Sequence, residues 1–227
     1  MLARDFAGVL FDLDGVILDS MQHHARTWQE VFREMGLEVP LDFILENEGS
    51  LGAEVLEDYL AAHAPHLAGR PLMENQRVMR ELLDRQLGLY LERHAHEVRP
   101  FSGAARLLAG LNRAGLPVAL VTSSRRVLVQ RSLGPELTAH FQALVCAEDV
   151  TRHKPHPDPY QAGAKALDLA AERCLVVENA PAGIASARAA GATCYALTTT
   201  LAAPKLAQAQ AVFAGLEDLG RHLGVWE

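Results

Sequence analysis

Short apolar runs with no helical period recur along this chain, and helical patterns separate most of them. The first is Gly8-Val9-Leu10-Phe11. Others run from Pro117 to Val121, Ala143 to Cys146, Cys174 to Val177 and Thr193 to Leu197, with a weaker one from Ala211 to Ala214. Runs this short and this uniformly apolar read as strands buried on both faces. Between them, Ser102 is placed to cap a helix through Ala114 that Gly115 ends. Pro157 to Ala170 carries a proline at its start, and Pro181 to Ala190 is closed by Gly191. Strands alternating with helices predict an α/β fold whose parallel sheet is covered on both faces.

One stretch breaks the alternation. From Val16 to Glu97 there is no strand pattern, whereas Met21, Ala25, Trp28, Phe32 and Met35 step by four and three and mark one helical face. Ala53 to Ala62 and Leu72 to Leu91 are also helix-like. At about 150 residues per domain, a chain of 227 residues is roughly one and a half domains. The helical stretch is the surplus. The expected division is a core from residues 1–15 and 97–227, with a helical insert at 16–96. Trp28 and Phe32 are expected in the core of the insert.

Charge narrows the partners. With 21 basic and 28 acidic residues the formal net charge is −7, the wrong sign for a broad nucleic-acid surface. No apolar stretch reaches the 18 residues of a membrane span, and Asp12 and Asp14 interrupt the apolar patch from Phe6 to Leu18, as a signal peptide would not. Cys146, Cys174 and Cys194 are far apart and lie in apolar runs, so they read as reduced core thiols rather than a disulfide or a cysteine zinc site. The expectation is a soluble cytoplasmic protein with no nucleic-acid or membrane partner and its oligomeric state left open.

In an open parallel sheet, ligands bind at the carboxyl ends of the strands. The first strand is followed by Asp12-Leu13-Asp14-Gly15, the second by Thr122-Ser123-Ser124, the third by Lys154-Pro155-His156-Pro157-Asp158, and the fourth by Glu178-Asn179-Ala180-Pro181-Ala182-Gly183. Each has a plain alternative. Asp-Gly makes turns, Thr122 and Glu178-Asn179 can cap helices, and a lysine can simply be solvated. Yet two acids at the end of an apolar strand repel unless a cation neutralises them, and oxygen donors suit a hard cation such as Mg2+. Lys154 is one of only three lysines in the chain, and a compact ammonium suits a phosphate.

Taken in order, these four segments resemble the four motifs of the haloacid dehalogenase-type hydrolase superfamily, in the branch with a helical cap inserted after the first motif. The likeness spans nearly the whole chain and is most specific from Val9 to Val16 and from Lys154 to Gly191. It implies a Rossmann-like core, a mobile cap and Mg2+-dependent phosphoryl transfer through an aspartyl phosphate. Carried over residue by residue, it makes Asp12 the nucleophile and Asp14 the acid/base. Thr122, Ser123 and Lys154 would hold the phosphoryl group. Asp12, the Asp14 carbonyl, Glu178 and Asn179 would hold Mg2+. Many relatives have Glu-Asp where this chain has Glu178-Asn179, which leaves open which of the two is the main ligand.

The same resemblance ranks the possible reactions. Asp14 argues against dehalogenation. The absence of lysine between Val16 and Pro100 argues against phosphonate cleavage through a cap lysine. A phosphatase acting on a small phosphorylated metabolite, such as a sugar phosphate or a phosphoglycolate-like compound, ranks first. A β-phosphoglucomutase-like mutase ranks second, and a non-catalytic phosphate-binding protein third. Candidate substrate or cap residues are His24, Ser124, Arg125, Gly49 and Ser50, with Arg70, Arg77 and Arg80 as possible basic contacts from the insert. Asp158 is expected to orient Lys154.

Overall fold

A computed structural model of the chain describes residues 2–47 and 76–226. The chain divides into two compact units, Met1–Met21 with Val98–Glu227, and Gln22–Glu97.

The first unit is built on a six-stranded, wholly parallel sheet. Its strands are β1 (Gly8–Phe11), β2 (Val118–Val121), β3 (Ala143–Val145), β4 (Cys174–Glu178), β5 (Thr193–Leu197) and β6 (Ala211–Phe213). They lie in the order β3-β2-β1-β4-β5-β6. The chain runs outward from β1 to β3 and then returns to the other side of β1, so the strand order reverses between β1 and β4. Such a reversal opens the crevice where ligands sit in open α/β sheets. Phe11 pairs with Val177 and with Leu120. That register sets Asp12 beside the end of β4 and level with the end of β2.

Every residue of β1, β2 and β4 is buried, as the unbroken apolar runs require. One sheet face packs Leu10, Val121 and Val176 against Tyr160, Ala164, Ile184 and Ala187. The latter four belong to α7 (Asp158–Ala166) and α8 (Pro181–Ala189). Before these come α1 (Met21–Glu34), α2 (Leu41–Asn47), α3 (Gln76–Arg93), α4 (Ala104–Arg113), α5 (Arg126–Ser132) and α6 (Gly134–Thr138); α9 (Leu216–Leu223) follows. Helix α4 packs on β2, and α9 packs on β6 and α4.

One helix start and one helix end differ from expectation. The residue that opens α4 is Gly103, at φ +86°, and the Ser102 hydroxyl instead donates to Glu217. Glycine can take that left-handed conformation without steric cost. Helix α7 ends at Ala166 rather than Ala170 because Asp168 turns to φ 56°.

The second unit is helical where it is described. The stripe foreseen on α1 is buried at Ala25, Trp28 and Phe32, with the Trp28 and Phe32 rings stacked 5.4 Å apart. Val31, Leu37, Ile44, Leu45, Leu89 and Tyr90 are also buried in this unit. The expected helix at Ala53 to Ala62 lies outside the described residues, and the expected Leu72 to Leu91 helix is described as Gln76–Arg93. Among the described residues no helix is long and apolar enough to cross a membrane.

Glycine placement gives a direct test of the packing. A Cβ on Gly163 would lie 2.5 Å from the Val121 side chain, so α7 approaches the sheet only because that residue has none. On exposed Gly88 in α3 a Cβ would meet nothing within 4 Å. Urea denaturation should show Gly163→Ala destabilised by about 1–3 kcal/mol and Gly88→Ala stabilised by roughly 0.5–1 kcal/mol.

Candidate active site

The carboxyl ends of β1, β2 and β4 converge on one ammonium. Lys154 is 7% exposed, and its Nζ lies 2.7 Å from Asp12 Oδ1, 2.7 Å from Glu178 Oε1 and 3.3 Å from the Val121 carbonyl. The Tyr160 ring centroid is 4.9 Å away. Desolvation pulls the Lys154 pKa down, but Asp12 and Glu178 outweigh it and hold the group above its ordinary value. Burial acts on Asp12 in the other sense. It pushes the carboxyl up to about 7 against the pull of Lys154, with Glu178 and Asp14 adding charge of its own sign.

Glu178 closes β4 and uses both oxygens. Oε1 accepts from Lys154 and from the Tyr160 hydroxyl at 2.7 Å. Oε2 accepts from the backbone N–H groups of Asn179 at 2.8 Å and Ala180 at 3.1 Å, just ahead of α8. A Cβ on Gly183 would lie 1.7 Å from Oε1, so α8 leaves room for this carboxylate by carrying glycine there. Buried Tyr160 has its phenol pKa raised, by burial first and then by Glu178 and Asp12.

Asn179 is 1% exposed, and its Nδ2 donates to Thr200 Oγ1 at 2.8 Å. That bond turns the amide so that its oxygen faces away from Thr200. Gly15, at φ +80°, sits against the same pair: a Cβ there would fall 2.1 Å from Asn179 Nδ2 and 2.7 Å from Thr200 Oγ1. The Thr199 hydroxyl donates to the Gly15 carbonyl. The loop after β5 therefore clasps the loop after β1.

Asp14 is half-buried and accepts two short hydroxyl bonds, from Ser20 to Oδ1 and from Ser124 to Oδ2, both 2.6 Å. Thr122 is buried; its N–H donates to the Val145 carbonyl, and its Oγ1 accepts from the Ser124 N–H at 3.0 Å. Ser123 and Arg125 are half-buried in the same turn, Arg125 being the residue that opens α5. Thr122 thus shapes the turn rather than capping the helix.

Asp12 and Glu178 touch the ammonium of Lys154, and Asp14 adds a third carboxyl group close enough to act on Asp12. Oxygen donors with surplus negative charge at a buried strand end suit a hard divalent cation. Glu178 already receives four donors, whereas the Asn179 amide is held at one end and presents its oxygen at the other. The donor set therefore suits a hard divalent cation such as Mg2+, with Asp12, the Asp14 backbone and Asn179 as candidate ligands.

The core residues singled out from the sequence (Asp12, Asp14, Thr122, Ser123, Ser124, Arg125, Lys154, Glu178 and Asn179) all lie at these strand ends. Others fall elsewhere. Asp158 pairs with Arg152 at 3.0 Å instead of orienting Lys154; the carboxylates already on the ammonium leave it no such role. His24 is buried in the second unit, its ring stacked on Tyr90 at 4.1 Å and its Nδ1 3.2 Å from Gln86 Nε2. Arg80 is exposed in that unit. Gly49, Ser50 and Arg70, and the Arg77 side chain, lie outside the described residues. Sequence reasoning missed Ser20, Tyr160, Thr199 and Thr200. The last two follow the fifth apolar run, so the strand-end rule points to them; nothing in the sequence marks the other two.

Replacing Lys154 with methionine leaves Asp12 and Glu178 buried without their counter-charge. Loss of one partner from a buried ion pair costs about 3–5 kcal/mol. Urea denaturation of Lys154→Met in EDTA should show a loss of that order, and an unchanged midpoint would contradict the assigned packing.

Known proteins resemble the chain at both levels. The profile of the family described as haloacid dehalogenase-like hydrolase matches residues 9–197. Hexitol phosphatase A of Escherichia coli K12 is 32% identical over 213 residues, covering 93% of this chain and 92% of the relative. The β-phosphoglucomutase of Bacillus subtilis 168 is 28% identical over 184 residues, covering 81% of this chain and 79% of the relative. A solved hydrolase from Pseudomonas syringae superposes with a TM-score of 0.82 at 24% identity, covering 96% of this chain and 97% of that one.

Proposed function

The chain belongs to the haloacid dehalogenase-like hydrolases, and from that premise we propose that it is an Mg2+-dependent phosphatase of a small phosphorylated polyol or sugar, acting through an aspartyl phosphate. The observation that carries the reading is Asp12, buried at the point where the strand order reverses and held 2.7 Å from Lys154. The name of the hexitol phosphatase relative supports the substrate class. The inserted helical unit would be the cap. Three free, buried cysteines fit a reducing compartment such as the cytoplasm.

In this mechanism Asp12 Oδ attacks phosphorus in line with the leaving oxygen, and the P–O bond to the substrate breaks as the P–O bond to Asp12 forms. Asp14 gives its proton to the leaving alkoxide. It then takes a proton from the water that attacks the phosphoryl group, releasing phosphate and restoring Asp12. Ser20 and Ser124 fix the Asp14 carboxyl in place before substrate arrives. Lys154 and the Thr122–Ser124 turn stabilise the phosphoryl oxygens, with Glu178 and Tyr160 holding the ammonium where it is needed. Bound Mg2+ would screen the charge of carboxylate and phosphate and so permit their approach.

A mutase is the second reading, favoured by the β-phosphoglucomutase relative. Product analysis of hexose 1-phosphate with a bisphosphate primer separates the two: free phosphate is expected, and hexose 6-phosphate would favour the mutase.

A panel of phosphorylated polyols and sugars should identify substrates whose phosphate release needs Mg2+. Asp12→Asn keeps the shape but is a poor nucleophile, so turnover should fall by at least about a thousandfold; substantial remaining release would sink the assignment. Asn179 as ligand and Glu178 as lysine anchor make different predictions. Asn179→Ala should raise the Mg2+ concentration for half-maximal rate by about tenfold or more, and Thr200→Val should raise it less. Glu178→Gln should lower kcat with little change in that concentration. If Glu178→Gln alone changed the Mg2+ requirement, the two roles would have to be exchanged.

A further inference from the structure

The described part of the second unit carries a group of side chains that the phosphatase reading does not use. His23 lies near the start of α1, and His94 and Glu97 lie just after α3. One ligand atom from each comes within 4.8 Å of the other two. His23 Nδ1 is 3.6 Å from Glu97 Oε2, and His94 Nδ1 is 3.9 Å from the same oxygen. The two imidazole rings lie 5.5 Å apart at 48°. Bonds of 2.0–2.1 Å to a tetrahedral Zn2+ place ligand atoms about 3.3 Å from one another. The two pairs to Glu97 therefore need to close by roughly half an ångström and the histidine pair by at most about 1.5 Å, within reach of side-chain rotation.

A second observation concerns the far side of His94. Its Nε2 is buried and faces Glu30 Oε1 at 3.9 Å, while the other oxygen of Glu30 is held by Arg93. His94 thus turns one nitrogen toward a shared centre and the other toward an anchored carboxylate at 3.9 Å, and closing that gap to a hydrogen bond would fix its tautomer and ring orientation as in metal sites. Glu97 is half-exposed, so the fourth position opens to solvent.

We propose that His23, His94 and Glu97 form a site for a first-row divalent cation of the Zn2+ type, with Glu30 orienting His94. Two imidazoles and one carboxylate select such an ion over Mg2+, which prefers oxygen donors alone. The site's place in the chain gives its use. His23 is the second residue of the unit and Glu97 its last. A cation held by both ties the two ends of the inserted segment together and removes loop-closure entropy from its unfolding. The inference is independent of the phosphatase reading.

Titrating the metal-free full-length chain with Zn2+ in excess Mg2+ tests it, with Co2+ as the spectroscopic probe. One equivalent of Co2+ should give visible absorption bands of a low-coordinate site that Zn2+ removes. At a hundredfold excess over Kd, Zn2+ should raise the unfolding temperature by roughly 5 °C or more. His23→Gln and His94→Gln should each weaken binding at least tenfold and abolish the thermal shift. Glu97→Gln, its circular dichroism spectrum matching that of the unaltered chain, should do the same, and Asp12→Asn should leave both signals intact. Stoichiometric binding undiminished in the His23 and His94 variants, or no one-to-one Co2+ complex with the unaltered chain, would overturn the proposal.

Discussion

The ammonium of Lys154 is the charge on which the rest of the site depends. It lies at the end of three strands, two of which deliver acids to the same buried place. Without it Asp12 and Glu178 would repel each other in a medium that screens poorly. Its own burial is tolerable only because both carboxylates touch it. The surrounding structure follows from that requirement. Tyr160 completes the hydrogen bonding of Glu178, the backbone ahead of α8 takes the other oxygen, and Gly183 leaves space for the carboxylate.

This arrangement divides the labour between neighbouring residues of the fourth motif. Both Glu178 oxygens accept two hydrogen bonds each, which is why the proposed mechanism makes Glu178 the lysine anchor. Asn179 is neutral, yet its amide is turned by Thr200, and Gly15 yields the room for that contact. A neutral ligand is consistent with a site that already carries three carboxyl groups and one ammonium. The departure from Glu-Asp thus need not signal decay. In the proposed site, Asn179 would be positioned as a ligand by the Thr200 hydroxyl just after β5.

Much of this was legible in the sequence. The uninterrupted apolar runs named all six strands, since a parallel strand covered on both faces admits no polar residue between its ends. The strand-end rule then gathers Asp12, Thr122, Lys154 and Glu178 from the sequence alone. What stayed hidden carries no local mark. Ser20 lies six residues beyond Asp14 with no pattern that assigns its hydroxyl to that carboxylate, and Tyr160 reaches Glu178 from a helix whose pattern reads only as core. Asp158 shows the converse. Proximity to Lys154 in sequence suggested a partnership, but Arg152 was available to it and Lys154 was already paired.

The central claim is that Asp12 becomes covalently phosphorylated during turnover. The direct measurement is acid quenching of the enzyme with a turned-over substrate on the millisecond timescale, followed by peptide mass analysis. The account predicts the added mass of one phosphoryl group on the peptide holding Asp12, formed and lost at rates that match phosphate release. Steady phosphate release with no modified peptide at any quench time, or with the group on another residue, would contradict it.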